Sequence, residues 1–216
     1  MIEAERQEIE TIAVESMKVI LTGRKYEDQN AKRYAQLIAE DIIDKYKRLY
    51  SKTRFLVSAL LFPRDQSTVT LFHRGYYRTN YDFQLRVKYT NEDFIGFVII
   101  FAVRETIQTL MNEGSFKSFS SEWEWKMHNI LEKYLFGLEY YDDQAAIDRA
   151  EIILKEAINA INQTNFLYCF DITITRKGDR VESSSKYLLY DTDYVGFQEM
   201  TNGAYYAVFR YGAFLF

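Results

Sequence analysis

A chain of 216 residues, 48% of them hydrophobic and 17% aromatic, can bury a substantial core, which excludes an unfolded linker or tail. The net charge of -4 argues against general nucleic-acid binding, because that function needs a positive surface to displace counterions from the phosphates. Cys169 is the single cysteine, so the sequence predicts no internal disulfide and no cysteine cluster for zinc, which suits a reducing compartment.

The sequence also lacks the signals of export and of membrane insertion. The first residues, from Met1 to Arg6, are already charged and contain no apolar signal core, so we expect no secretion. The longest apolar run, from Phe94 to Val103, is too short for a membrane-spanning helix.

Two helices are predicted at the start of the chain, because apolar residues recur there at helical spacing. The first spans Ala4 to Leu21, and Gly23 follows where a left-handed cap is usual. The second begins near Glu27 and ends near Arg48, with acidic residues at its start and basic residues at its end, as the helix dipole favours. Its predicted buried face consists of Ala35, Ile38, Ala39, Ile42, Tyr46 and Leu49.

Four antiparallel strands are predicted next, since the apolar pattern changes to alternation. They lie at Phe55 to Phe62, Thr68 to Thr79, Tyr81 to Tyr89 and Phe94 to Val103. The third alternates strictly, with one face formed by Tyr81, Phe83, Leu85, Val87 and Tyr89. The first and the last are apolar on both faces, as strands are when both sides of their sheet are covered.

Residues 105–120 form a predicted joint, after which the pattern restarts. Asn112 to Ser115 and Ser118 to Ser121 have the composition of a linker. The next helix has an apolar face that includes Met127 and Leu131, and the one after it has a face between Ala146 and Ile161. Four more strands are predicted, at Phe166 to Thr175, Val181 to Tyr190, Tyr194 to Met200 and Ala204 to Phe216.

An internal duplication accounts for this order. Tyr26 to Gln29 reappears as Tyr141 to Gln144, and a shift of 115 residues superimposes the following helices, as in Ala31 and Ala146. A shift of 111 superimposes Phe55 on Phe166 in the strands, so four residues are lost, all between the second helix and the first strand. The predicted domains are a first unit at 1–104, the joint at 105–120 and a second unit at 121–216.

The doubly apolar strands determine the predicted fold. Two helices of one repeat can cover only one side of its sheet, so the other side needs a second apolar surface, and the sheet of the other repeat is the candidate. We therefore predict an α+β fold of two tandem α-α-β-β-β-β units. Their antiparallel sheets are expected to pack together, with the helices outside.

The order and spacing of these elements resemble the Tctex type of dynein light chain. In the first repeat the resemblance is carried by Ile12, Gly23 to Tyr26, Thr53 to Val57 and Phe94 to Val103. In the second it is carried by Asn165 to Cys169 and Gly203 to Val208. The pattern therefore resembles the family twice, which makes the chain similar to a tandem member.

The resemblance implies paired sheets flanked by helices, and protein partners. Members of this family usually dimerise by exchanging a strand, and they bind extended segments of dynein intermediate chains and other cytoskeletal proteins. Because this chain carries both copies, we expect a single-chain pseudo-dimer rather than self-association. Whether strands exchange between the two repeats stays open. The implied location is the cytoplasm and cytoskeleton, including the cilium or axoneme.

No catalytic, cofactor or metal site is predicted. His73 and His128 are the only histidines, and each is more simply explained as a surface or half-buried residue than as a general base. Ser183 to Ser185 lack the glycines of a nucleophile elbow and are expected on an exposed strand. Asp142 and Asp143 are better explained as a helix cap than as metal ligands, and no glycine-rich phosphate loop occurs.

A binding surface is expected at the edge of a sheet, where unpaired backbone groups accept an extended segment. The candidate is the strand face with Tyr81, Phe83, Leu85 and Val87; the alternative is that these residues only fill the core. Trp123 and Trp125 lie between the repeats, and they either pin the joint against a core, which is the favoured interpretation, or contact a partner.

The predicted function is therefore a non-enzymatic adaptor that binds extended segments of dynein intermediate chains or other cytoskeletal proteins. Other dynein light chains and axonemal subunits are also expected partners. One alternative is a structural component of a ciliary or axonemal complex without direct dynein contact. The other is an enzyme or small-molecule binder, which would need a polar cavity with converging titratable groups that the sequence does not show.

Overall fold

The computed structural model describes residues 2–50, 52–65, 70–76, 82–104, 113–136, 142–161, 166–179, 182–188 and 194–215. The first repeat contains α1 (Ile2–Leu21), α2 (Asp28–Leu49), β1 (Thr53–Pro63), β2 (Thr70–Tyr76), β3 (Phe83–Thr90) and β4 (Phe94–Arg104). The second contains α3 (Glu113–Leu135), α4 (Asp143–Ile161), β5 (Phe166–Arg176), β6 (Glu182–Leu188), β7 (Tyr194–Thr201) and β8 (Tyr205–Leu215). The predicted α+β fold, with two helices and four strands repeated, is confirmed.

The two repeats exchange one strand each. The first sheet has the order β3-β4-β1-β6 and the second the order β2-β5-β8-β7, with antiparallel pairing throughout. The chain accordingly folds into two compact units. Unit 1 consists of Met1–Gln66, Arg78–Glu105 and Arg180–Tyr190, and unit 2 of Ser67–Tyr77, Thr106–Asp179 and Asp191–Phe216. The predicted domains, at 1–104 and 121–216, follow chain order. They assign β2 to the first unit and β6 to the second, whereas each of these strands pairs in the sheet of the other unit.

Side chains as well as backbone hold β6 in unit 1. Lys186 of β6 forms an ion pair with Glu40 of α2, with Nζ and Oε1 2.9 Å apart. The hydroxyl oxygens of Ser58 on β1 and Ser185 on β6 lie 3.1 Å apart. The serine-rich strand that the sequence suggested is therefore a half-buried edge strand of the other repeat's sheet.

The core of unit 1 lies between its two helices and one face of its sheet. Alternate residues of β1 enter this core, namely Phe55, Val57, Ala59 and Leu61. The buried hydroxyl of Tyr46 on α2 donates a hydrogen bond of 2.9 Å to the carbonyl oxygen of Ile9, which ties α2 to α1. The predicted buried face of α2 is correct except for Leu49, which is exposed because it is the last residue of the helix.

Unit 2 has a core of the same design. The predicted face of α4 is buried in it, and its residues are Ala146, Ala150, Ile153, Leu154, Ala157 and Ile161. Alternate residues of β5 enter the core, namely Tyr168, Phe170, Ile172 and Ile174. The opposite face of β5 is also buried and carries Asp171, whose carboxylate accepts a hydrogen bond of 2.6 Å from Nη1 of the buried Arg210.

Strand pairing corrects the alignment of the two repeats. Phe55 pairs with Ala102 and Tyr168 pairs with Ala213, so Phe55 is equivalent to Tyr168, at a shift of 113, and not to Phe166. The shift of 111 is right for β3 and β4, because Phe83 and Tyr194 begin equivalent strands. The four lost residues are thus distributed over several connections. A slip of two residues keeps every side chain on its original face, so alternation could not reveal the error.

Part of the expected joint is helical. Helix α3 begins at Glu113 and therefore includes the serine-containing stretch that was predicted as linker. Serine is only moderately less favourable in a helix than alanine, so the strong apolar pattern downstream can extend the helix backward through it.

An asparagine at equivalent positions of the two repeats stabilises the last hairpin of each. Oδ1 of Asn91 accepts hydrogen bonds from the backbone N–H groups of Asp93 and Phe94, and its Nδ2 donates to the carbonyl oxygen of Leu21 at the end of α1. Asn202 makes the equivalent three hydrogen bonds, to Ala204, Tyr205 and Leu135. Each asparagine shapes a turn and satisfies a terminal helix carbonyl at once.

Candidate partner-binding edge strands

Each sheet ends in two edge strands. In unit 1 these are β3 and β6, and in unit 2 they are β2 and β7. An edge strand has one row of backbone N–H and C=O groups that no neighbouring strand pairs. Among the described residues, β3 pairs only with β4 and β7 only with β8, so no described strand pairs with the outer row of either.

The structure places the candidate face of β3 toward the core of unit 1. Phe83 and Val87 are 7% and 2% exposed and belong to that core, and Leu85 is half-buried against it. Tyr81 lies outside the described residues. Phe83 and Val87 therefore fit the alternative interpretation, in which this face fills the core. What β3 exposes is its backbone edge together with the outward side chains of Arg86, Lys88 and Thr90.

The corresponding strand of unit 2, β7, exposes a different surface. Tyr194, Gly196, Gln198 and Met200 form its half-buried face toward the helices. On the outward face Phe197 is 66% exposed, and its neighbour Glu199 is exposed as well. Phe197 was not among the candidate binding residues predicted from the sequence. The signal was present, because Phe197 is an aromatic residue out of phase with the apolar alternation.

The two tryptophans on α3 have different surroundings. Trp123 is 1% exposed and packs in the core of unit 2, with its ring centroid 5.4 Å from that of Tyr168. Trp125 is 66% exposed. The favoured interpretation, packing against a core, thus describes Trp123, and only Trp125 is accessible to a partner.

A group of polar side chains connects α3 to the edge strand β7. The Tyr194 hydroxyl donates a hydrogen bond to the carboxylate of Glu124 on α3. Burial, and next the hydrogen bond with Glu124, raises the pKa of Tyr194 above its ordinary value. Burial also raises the pKa of Tyr211, which lies beside Tyr194 with ring centroids 6.0 Å apart. Tyr194 is therefore a neutral donor, and its hydrogen bond to Glu124 holds β7 against the helix.

The residues considered for catalysis have structural surroundings. Asp142 caps α4, because its Oδ1 accepts a hydrogen bond of 2.8 Å from the backbone N–H of Ala145. His128 is exposed on α3, and His73 lies on β2 opposite Asp171 in the strand register. Within the described ranges, no group of three histidine, cysteine, aspartate or glutamate side chains is arranged to hold a metal ion.

Unit 1 also has an open cleft of about 630 Å³ between the end of α1 and the β3–β4 turn. Its polar lining includes Arg64, Asn91, Glu92 and Asp93, and the side chain of Asn91 is already used in the turn. No histidine or cysteine lines it. None of the helices in the described part of the chain is long and apolar enough to cross a membrane.

The first repeat matches a known protein family. A family model described as the Tctex-1 family matches residues 3–103, which span the first repeat from α1 to β4. No curated protein sequence matches the chain. The second repeat has the same order of helices and strands as the matched region.

Proposed function

Residues 3–103, which span the first repeat, match the Tctex-1 family, and on this premise we propose that the protein is a non-enzymatic dynein light chain-like adaptor. It binds extended segments of dynein intermediate chains or of other cytoskeletal proteins. Its location is the cytoskeleton, including that of the cilium or axoneme. The binding mode is strand addition, in which backbone hydrogen bonds supply affinity and side chains beside the edge supply selectivity.

The observation that carries the proposal is the reciprocal exchange of β2 and β6. Family members exchange a strand between subunits, and here the exchange is completed within one chain. The pairing that a single-repeat chain would seek in a second subunit is therefore already made. The outer edges of β3 and β7 remain for a different protein, so the chain is suited to hold partners and not to dimerise by strand exchange.

The first proposed binding surface is the outer edge of β3, in the segment with Tyr81, Phe83, Leu85 and Val87. Because Phe83 and Val87 are anchored in the core, they hold the strand rigid, and a rigid edge loses little entropy when a segment adds to it. Arg86 and Lys88 project from the other face and are exposed. An added segment with acidic residues at alternate positions would pair with these two cations.

Trp125 is the second proposed contact. A large exposed aromatic ring on a helix is a common anchor of protein interfaces, because it buries much area with few rotatable bonds. Trp123 has a different role, since it is enclosed in the core of unit 2.

The proposal is tested by capture of the tagged full chain with its neighbours from native cytoskeletal extract. The expected result is enrichment of dynein subunits, and a marked decrease of that enrichment for the Arg86→Glu/Lys88→Glu variant. A matched control is Lys32→Glu/Arg33→Glu, which changes the charge equally at exposed positions of α2. Enrichment of axonemal proteins without any dynein subunit would instead support the alternative of a structural component without direct dynein contact. Equal loss in both variants would contradict the β3 surface.

Leu85→Lys is a second test of the same edge. Leu85 is half-buried between the core and the edge, so a lysine there should weaken capture of the partner while far-UV circular dichroism stays native. Capture equal to that of the unmodified chain would count against this surface.

A further inference from the structure

We infer that β7 is a second acceptor edge, and that its occupant is an extended segment of the pattern basic-x-apolar-x-apolar. The inference rests on the proposed adaptor function and adds to it the chemistry of a second, different partner segment. Its basis is the outward face of β7, where Val195, Phe197 and Glu199 follow one another at alternate positions.

Phe197 and Glu199 on this face have no side-chain partners among the described residues. Phe197 is 66% exposed, and neither an aromatic nor a cation contact occupies its ring within the described part of the chain. Glu199 is exposed and forms no ion pair with any described residue. An exposed phenylalanine in the middle of an edge strand is unfavourable in water, and an added strand would cover it.

Comparison with β3 shows what distinguishes the two edges. At the shift of 111 that relates these strands, Phe197 is equivalent to Arg86 and Glu199 to Lys88. Basic side chains on an edge strand prevent pairing with apolar or basic segments, which is how many proteins protect such edges. Edge β3 carries this protection and β7 does not, so the two edges select different segments by charge.

Recognition at β7 has to occur on the outward face. On the face toward the helices, the ring of Tyr211 occupies the space over Gly196, which leaves no pocket for a partner side chain there. All pairs in both sheets are antiparallel, and we take the same direction for the added strand. The residue opposite Glu199 then comes first along the segment and is basic. Those opposite Phe197 and Val195 follow at alternate positions and are apolar.

The test uses two fluorescein-labelled peptides and the full chain. The first peptide is Ser-Thr-Lys-Thr-Ile-Thr-Val-Thr-Ser, and the second has glutamate in place of lysine. Fluorescence anisotropy should show that the unmodified chain binds the lysine peptide about fivefold more tightly or better, because one cross-strand charge pair changes from favourable to unfavourable. The variant Glu199→Lys should reverse this preference, and Phe197→Arg should weaken both peptides about fivefold or more.

Controls separate this inference from the proposed function. Leu85→Lys disrupts the other edge without making it acidic and should leave the affinity for the lysine peptide unchanged. If that variant abolishes binding while Phe197→Arg does not, the segment adds to β3, which overturns the β7 inference and leaves the adaptor function standing. If neither peptide binds, the inference is overturned as well. That result leaves the adaptor function standing, because capture from native extract tests it independently.

A second copy of the chain is the competing occupant of β7. Sedimentation velocity at the concentrations of the peptide titration should give the mass of a monomer. A dimer that Phe197→Arg dissociates would mean that β7 pairs with another copy, and this outcome would also overturn the inference.

Discussion

Gly196 of β7 and Tyr211 of β8 face each other directly across the two strands, and the ring of Tyr211 lies where a side chain of residue 196 would be. A Cβ atom at Gly196 would be 2.5 Å from Cζ and 2.6 Å from the hydroxyl oxygen of the tyrosine. In the first repeat the equivalent directly opposed pair is Leu85 and Ile100. At this position the second repeat therefore combines a glycine with a large tyrosine, whereas the first repeat combines two aliphatic side chains.

We expect Gly196→Ala to lower the free energy of unfolding by about 1–3 kcal/mol, because the methyl group overlaps the ring. The double variant Gly196→Leu/Tyr211→Ile reproduces the pair of the first repeat and should recover most of that loss. Urea unfolding followed by circular dichroism measures both. Gly203→Ala is the control, since nothing lies within 4 Å of a Cβ atom there. A stable Gly196→Ala variant would show that Tyr211 can move aside.

The hairpin asparagines are expected to matter equally in the two repeats. Asn202→Ala removes three hydrogen bonds, and Asn91→Ala removes the equivalent three, so each should lower the free energy of unfolding by about 1–3 kcal/mol. Asn202→Asp keeps the acceptor for the turn but loses the donor to Leu135 and brings a negative charge to the end of α3. Should Asn202→Asp unfold at the same urea concentration as the unmodified chain, the contact with the helix contributes nothing.

The buried ion pair of Asp171 and Arg210 predicts strong coupling between two substitutions. Asp171→Asn leaves the buried guanidinium without its charge partner and should cost about 3–5 kcal/mol. The double variant Asp171→Leu/Arg210→Met removes both charges and should cost much less. The first repeat has Ser58 and Ile99 opposed at the equivalent positions, so the fold itself does not require the charges. Additive effects in the double-mutant cycle would contradict this expectation.

The ion pair between Glu40 and Lys186 predicts a pH dependence in unit 1. The hydrogen bond from Gln36, and then that from Lys186, lowers the pKa of Glu40 below its ordinary value of 4.5. A lowered pKa means that the carboxylate stabilises the fold at neutral pH. That stability is lost as the pH falls below 4.5 and through the folded-state pKa.

Lys186→Met should therefore reduce the free energy of unfolding at pH 7 by about 1 kcal/mol or less, because both groups are partly exposed. At pH 3 the difference from the unmodified chain should shrink. Chemical unfolding at the two pH values measures it, with the exposed Lys177→Met as the control. A difference that grows on acidification would show that another interaction of Lys186 dominates.

Sequence periodicity was sufficient for the elements and the cores, since burial of one helix stripe and of alternate strand residues is a local pattern. It was not sufficient for β2 and β6, because alternation states which face of a strand is buried and not which sheet the strand joins. The same limit produced the misalignment of Phe55 with Phe166, where a slip of two residues leaves each face unchanged.

The candidate site shows a second limit. Trp123 and Trp125 are two positions apart on a helix and thus point in directions roughly 200° apart, so they could not share a role. Once α3 was known to be helical through this stretch, one tryptophan had to be inside when the other was outside. Phe197 was overlooked for a different reason: an exposed aromatic residue breaks the pattern by which buried strands are found.

The reciprocal exchange of β2 and β6 also limits which changes in the gene are compatible with the fold. Neither repeat can complete its own sheet. If one repeat were deleted or replaced by an unrelated sequence, the remaining repeat would lack one strand of its sheet, and the strand that it contributes to the other sheet would be unpaired. Covalent linkage fixes the ratio of the halves at one to one, and each is then free to diverge at its outer edge, as Arg86 and Phe197 illustrate.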